Sequence, residues 1–149
     1  MTDIEFHVNH PDKLHYSCRL LRKAYRRGTS VVVSGDAALL QQLDSLLWEF
    51  STLEFLPHCR DSARATTVSA SPILLVEQAQ ACPALGVLIN IGQALPSGFE
   101  RFTRLIEVAS SDEDDRLAAR ERWKHYQARG YPLKRHEPAG QGTHVAPAS

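Results

Sequence analysis

The apolar positions change period several times along the chain, and each change marks an element. Ile4 to Val8 alternates apolar and polar residues as a half-buried strand does, and Asn9-His10-Pro11-Asp12 reads as a turn. From Lys13 to Arg27, Leu14, Cys18, Leu21 and Tyr25 recur at three- and four-residue steps, which predicts an amphipathic helix with a basic outer face. Gly28 stands where that helix would be capped. Ser30 to Val33 is continuous and β-branched, the pattern of a central strand buried on both faces. Gly35-Asp36 then opens a second helix, with Asp36 as N-cap and one apolar stripe made by Leu39, Leu40, Leu43, Leu46, Leu47 and Phe50.

Beyond Pro57 the periodicity fades, and Cys59 to Ser71 is expected to be a surface loop. Ile73–Val76, Gly86–Ile91 and Leu105–Ala109 read as three more strands, with a short helix around Phe99 to Phe102. Ser110 or Ser111 is expected to cap a last helix. Its first turn, Asp112-Glu113-Asp114-Asp115, suits the positive end of the helix dipole, and Gly130 and Pro132 end it. Strands alternating with helices predict a single α/β domain over residues 1–133, built on a mainly parallel sheet of about five strands. Residues 134–149, rich in Pro, Gly, Ala and His without apolar periodicity, are expected to form a disordered tail.

Charge narrows the function classes. Seventeen basic and seventeen acidic side chains cancel, so no global positive field favours direct binding of nucleic acid. Cys18, Cys59 and Cys82 include no C-x-x-C pair, which argues against a disulfide framework or zinc knuckle and fits a reducing cytoplasm. No segment reads as a signal peptide or membrane span. No cofactor motif emerges either: the strand-to-helix turn at Gly35 lacks a phosphate-binding glycine pattern, and Asp36 would occupy the donors a phosphate needs. His7 and His10 are expected on opposite faces of an extended segment. His58-Cys59 has no partner ligands at zinc spacing, so no metal set is predicted. No arrangement of nucleophile and base suggests catalysis.

Two sets of side chains are not explained by a core. Trp48 lies about 140° from the centre of the Leu stripe on the second helix, so it should face outward, with Phe55 following just past the helix end. A loop folding back over Trp48 is the alternative. On the last helix Arg116, Arg120 and Lys124 form a column of like charges, with Trp123 and Gln127 beside it. Guanidinium groups next to an indole fit a peptide carboxylate with an adjacent aromatic side chain. A solvated basic face, with Asp112 pairing Arg116 and Trp123 packed on the sheet, is the alternative there.

The segments YSCRLLRKAY (16–25), LDSLLWEFSTLEFLPH (43–58), VLINIG (87–92) and AARERWKHYQARGYPL (118–133) resemble, in order and spacing, the chi subunit of bacterial DNA polymerase III holoenzyme. The resemblance implies a Rossmann-like fold and an accessory subunit without an active site, cofactor or metal. It also implies two partners, with the chain a monomer or a heterodimer with the first of them. The psi subunit of the clamp loader would take Trp48 and Phe55. The acidic, Pro-Phe-ending tail of single-stranded DNA-binding protein would take Arg116, Arg120, Trp123, Lys124, Ala109 and Tyr131. Of these, Arg120 is assigned to the terminal carboxylate, Arg116 and Lys124 to upstream aspartates, and Trp123, Ala109 and Tyr131 to the phenylalanine pocket. The rival functions are a nucleotide-dependent enzyme using Gly35 and a direct binder of single-stranded DNA.

Overall fold

A computed structural model describes residues 2–50, 58–60, 73–77 and 86–138. Their strands are β1 (Asp3–His10), β2 (Val31–Ser34), β3 (His58–Arg60), β4 (Ile73–Val76), β5 (Val87–Asn90), β6 (Arg104–Ser110) and β7 (Leu133–His136). They form one seven-stranded sheet in the order β3-β4-β2-β5-β6-β1-β7. Every pairing is parallel. The helices are α1 (Lys13–Arg26), α2 (Ala37–Phe50) and α3 (Glu113–Ala128), with a 3-10 turn at Phe99–Arg101. The architecture is Rossmann-like.

Strand alternation sorts the core into two layers. Val31, Val33, Ile73, Leu75, Ile89, Ile106 and Val108 pack under α1 and α2 with Cys18, Leu21, Leu40, Leu43 and Leu47. Their neighbours in sequence, Val32, Leu74, Val76, Leu88 and Leu105, turn the other way and meet Ile4, Phe6 and, from α3, Ala119, Trp123 and Tyr126. A sheet covered on both sides requires near-continuous apolar strands, as found in β2 and β4.

The helix ends follow local chemistry. Asp12 accepts from the His15 amide at 3.1 Å and Asp36 from the Leu39 amide at 2.9 Å, so each caps its helix as an aspartate does. After α1, Gly28 at φ +74° lets its own N–H reach the Tyr25 carbonyl and that of Thr29 reach Ala24. Gly130, at φ +84°, closes α3 in the same way.

Four expectations need correction. The sheet has seven strands rather than about five, because two edge strands carry no apolar signal. β3 begins the segment expected to be a loop, and three residues are too few to show alternation. β7 extends into the expected tail: Lys134, Arg135 and His136 are exposed and charged or polar, as an edge strand should be, and backbone pairing with β1 holds them. Order therefore continues past residue 133, while 139–149 lie outside the described residues. The N-cap of α3 is Asp112 without a side-chain bond, rather than Ser110 or Ser111. The Ser110 hydroxyl instead accepts from the Asp112 amide at 3.3 Å. Finally, Asn9 takes a left-handed φ of 63° where the β1/β6 register shifts, and the bulge brings His10 round to stack on Tyr16, which also contacts His7. The two histidines share a face, contrary to simple alternation.

A cationic groove between the first strand and the last helix

The last helix is seated by charges that point inward. Glu107 of β6 is completely buried. Its Oε1 accepts from Arg122 Nε at 2.9 Å and Asn90 Nδ2 at 2.8 Å, and its Oε2 from the Tyr126 hydroxyl at 2.5 Å. Burial pushes the Glu107 carboxyl up, with Arg122, Tyr126 and Asn90 pulling the other way. Desolvation and the Glu107 charge hold Tyr126 well above its ordinary range, so it remains a donor. Arg122 also donates from Nη1 to the Gln93 carbonyl at 2.6 Å. At the start of the helix Asp115 accepts from the Ser110 amide at 2.6 Å and from Lys13 Nζ at 3.0 Å.

With Arg122 and Tyr126 turned inward, Arg116 and Arg120 face out. They border a cavity of about 210 Å³ where the first turns of α3 pass the carboxyl end of β1. Phe6, Val8 and Asn9 of β1, Ala109 of β6 and Arg135 of β7 supply one wall. Glu113, Arg116, Leu117, Ala119, Arg120 and Trp123 of α3 supply the other. Among the described residues neither Arg116 nor Arg120 forms an ion pair. Arg135 differs: it pairs with Glu137 at 2.8 Å, and Asn9 Nδ2 donates to the same carboxylate at 2.6 Å. Three guanidinium groups against the single lining carboxylate of Glu113 leave the groove cationic.

Four of the six residues assigned to the tail pocket, Arg116, Arg120, Trp123 and Ala109, thus line one cavity. Trp123 is only 5% exposed, edge-on to Phe6 with centroids 5.1 Å apart, so the indole belongs to the floor and packs on the sheet. Its Nε1 has no hydrogen-bond partner among the described residues. Lys124 and Tyr131 are not brought in. Lys124 lies a turn beyond the cavity, exposed, and pairs with Glu121 at 3.5 Å. Tyr131 follows the Gly130 turn, which carries the chain to the opposite end of the strands, where its ring meets Phe99 at 5.4 Å. Leu117 and Arg135 were not anticipated. An apolar residue on the polar side of α3, 52% exposed, was the available signal for Leu117; Arg135 sits on a strand without one.

Trp48 is 57% exposed, the outward placement its helical angle predicts. Phe55 lies outside the described residues, so their proximity is not described.

A second, larger crevice opens at the carboxyl ends of β2 and β5, where an open α/β sheet ordinarily takes its ligand. Asp36, Glu77, Asp112, Glu113, Asp114 and Asp115 line it, a repulsive setting for phosphate. Packing explains Gly35: a Cβ there would stand 2.9 Å from Ile91 Cγ1. Among the described residues no helix is long and apolar enough to cross a membrane.

Residues 1–134 match the family described as DNA polymerase III chi subunit, HolC. The chain is 31% identical to DNA polymerase III subunit chi of Pseudomonas aeruginosa, over 91% of this chain and 96% of that protein. It is 28% identical to the Haemophilus influenzae subunit of the same name, over 78% of this chain and 81% of that one.

Proposed function

Since the chain belongs to the DNA polymerase III chi subunit family, we propose that it works as a two-sided adaptor, with the α3–β1 groove taking the acidic carboxyl-terminal tail of single-stranded DNA-binding protein and the Trp48 face taking psi. DNA would be reached through the first of these partners, and the adaptor would need no catalytic step of its own. The observation that carries this reading is the pair of guanidinium groups, Arg116 and Arg120, exposed and without ion pairs among the described residues, over a floor of Phe6, Ala109 and Trp123.

Guanidinium groups without an ion pair among the described residues suit an incoming carboxylate, because no pair among those residues has to be broken first. A cavity of about 210 Å³ falls below the ~300–1,000 Å³ of a small-molecule pocket and suits one aromatic side chain. Leu117 extends the apolar wall toward the surface, where the penultimate proline would lie.

Calorimetry with an acidic peptide ending in Pro-Phe tests the reading. Arg120→Ala should weaken binding by about 1.5–3 kcal/mol, the range for a hydrogen bond to a charged group. Removing the last phenylalanine should abolish binding, and raising the salt should weaken it. Trp48→Ala should lose psi in co-purification while binding the peptide normally. Unchanged affinity in Arg120→Ala would remove the groove from the function, and loss of both partners in Trp48→Ala would refute the division into two surfaces.

A further inference from the structure

On the opposite side of the sheet from the groove, three side chains converge that the adaptor reading does not use. Parallel pairing of β1 with β7 sets His7 opposite His136 and Glu5 opposite Lys134. Glu5 and His7, two residues apart on β1, share the face that packs on α1. Glu5 Oε1 lies 3.2 Å from His7 Nε2 and 3.3 Å from His136 Nε2, and the three ligand atoms all fall within 4.8 Å of one another. We propose that Glu5, His7 and His136 form a zinc(II) site that clips the edge strand β7 to β1, with water completing the coordination.

The spacing favours a metal. Tetrahedral zinc holds nitrogen and oxygen ligands at about 2.0–2.2 Å, which separates neighbouring ligand atoms by about 3.4 Å. The Glu5–His7 and Glu5–His136 separations are within 0.2 Å of that, and the ligand atoms of the two imidazoles lie within 4.8 Å of each other. The remaining polar atoms of two ligands are also engaged, as bound ligands require. His7 Nδ1 meets the Tyr16 hydroxyl, which leaves Nε2 to face Glu5 Oε1 at the shared centre. Glu5 Oε2 accepts from Arg104 Nε at 3.0 Å and Nη2 at 2.7 Å, leaving Oε1 for the metal.

His136, with a side chain 53% exposed, provides the path by which an ion enters. The site does not depend on the docking reading. It adjoins the groove in sequence all the same, because Arg135 precedes His136 and faces the other way.

The experiment titrates zinc chloride into the chelator-stripped full chain. Calorimetry should show one high-affinity ion per chain, and melting should shift upward with zinc. His136→Ala, at an exposed position whose backbone pairing is retained, should weaken that event at least tenfold and abolish the shift, while His125→Ala leaves both intact. Glu5→Gln, which keeps size and hydrogen bonding but removes the anionic ligand, should also weaken binding. Cobalt(II) in place of zinc should give the strong visible absorption of a four-coordinate site. Zinc affinity equal in wild type and His136→Ala, or only the faint absorption of six-coordinate cobalt, would overturn the site and show that the three side chains are joined by hydrogen bonds alone.

Discussion

The buried charge network under α3 makes the sharpest test of how the fold is held. Arg122→Met keeps most of the side-chain length and removes the guanidinium. Glu107 would retain the Asn90 amide and the Tyr126 hydroxyl but lose its only positive partner among the described residues, at a position with no exposed surface. Removing one member of a buried ion pair costs about 3–5 kcal/mol, a large share of a total stability of about 5–15 kcal/mol. At about 2–4 °C per kcal/mol for a chain of this size, melting should fall by about 6–20 °C.

Protonation gives the loss a signature. Without Arg122 the Glu107 carboxyl, already raised by burial, would rise further in the folded state. A folded pKa above the unfolded value means that the folded state holds the proton more tightly, so stability is greatest at low pH and declines as pH rises through the interval between the two values. The deficit of Arg122→Met should therefore shrink as pH is lowered toward the unfolded value of Glu107. The double variant Glu107→Gln with Arg122→Met, which leaves no buried charge, should recover a substantial part of the loss. Melting followed by circular dichroism from pH 5 to 8 makes the comparison. A loss under about 1 kcal/mol at pH 7, or a double variant less stable than Arg122→Met, would refute the assignment of Arg122 as the charge that makes Glu107 tolerable.

Asp115 has the opposite pH dependence. Burial pushes its carboxyl up, but the Ser110 amide and Lys13 more than offset this, and its pKa falls below the ordinary 3.8. Its contribution is present above the unfolded value and is lost as pH falls through the folded one. Asp115→Asn should cost about 1.5–3 kcal/mol at pH 7 and flatten the loss of stability below about pH 4 in acid titrations followed by fluorescence. Gly35→Ala should destabilise by about 1–3 kcal/mol in denaturant unfolding, since its Cβ would press on Ile91 Cγ1 at 2.9 Å. It should leave binding of the acidic peptide unchanged, because the α3–β1 groove lies elsewhere.

Sequence reading succeeded where burial imposes a pattern. The β-branched run Val31–Val33 is apolar on both faces because it is a middle strand, and the Leu stripe of α2 places Trp48 outside by angle alone. It failed where backbone pairing acts without burial, as in β7, and where a local conformation breaks alternation, as at Asn9. The candidate site divides in the same manner. Arg116, Arg120 and Trp123 share a helix, so a rotation of about 100° per residue brings them together. Tyr131 lies beyond the helix end, where the Gly130 turn decides its direction, and Arg135 depends on a pairing that no periodicity announces. The inward path of Arg122 was also hidden, because a buried Arg looks like any other basic residue until Glu107 is seen opposite it.

Those inward contacts bear on why the outward ones are suited to binding. Asp115 ties the first turn of α3 to Lys13, Arg122 and Tyr126 tie its later turns to Glu107, and Trp123 packs on Phe6 between them. A helix held along its length presents Arg116 and Arg120 from a fixed backbone, so a docking peptide would have little besides their side chains left to order. Arg135 is less favourably prepared, since its pair with Glu137 would have to open before it could serve a new carboxylate. The two kinds of arginine in one groove should therefore differ in weight: replacing Arg120 exposes the full loss of a charged contact, whereas replacing Arg135 trades a contact for the release of an existing pair. The energetic centre of the proposed docking site thus lies on the helix and not on the edge strand.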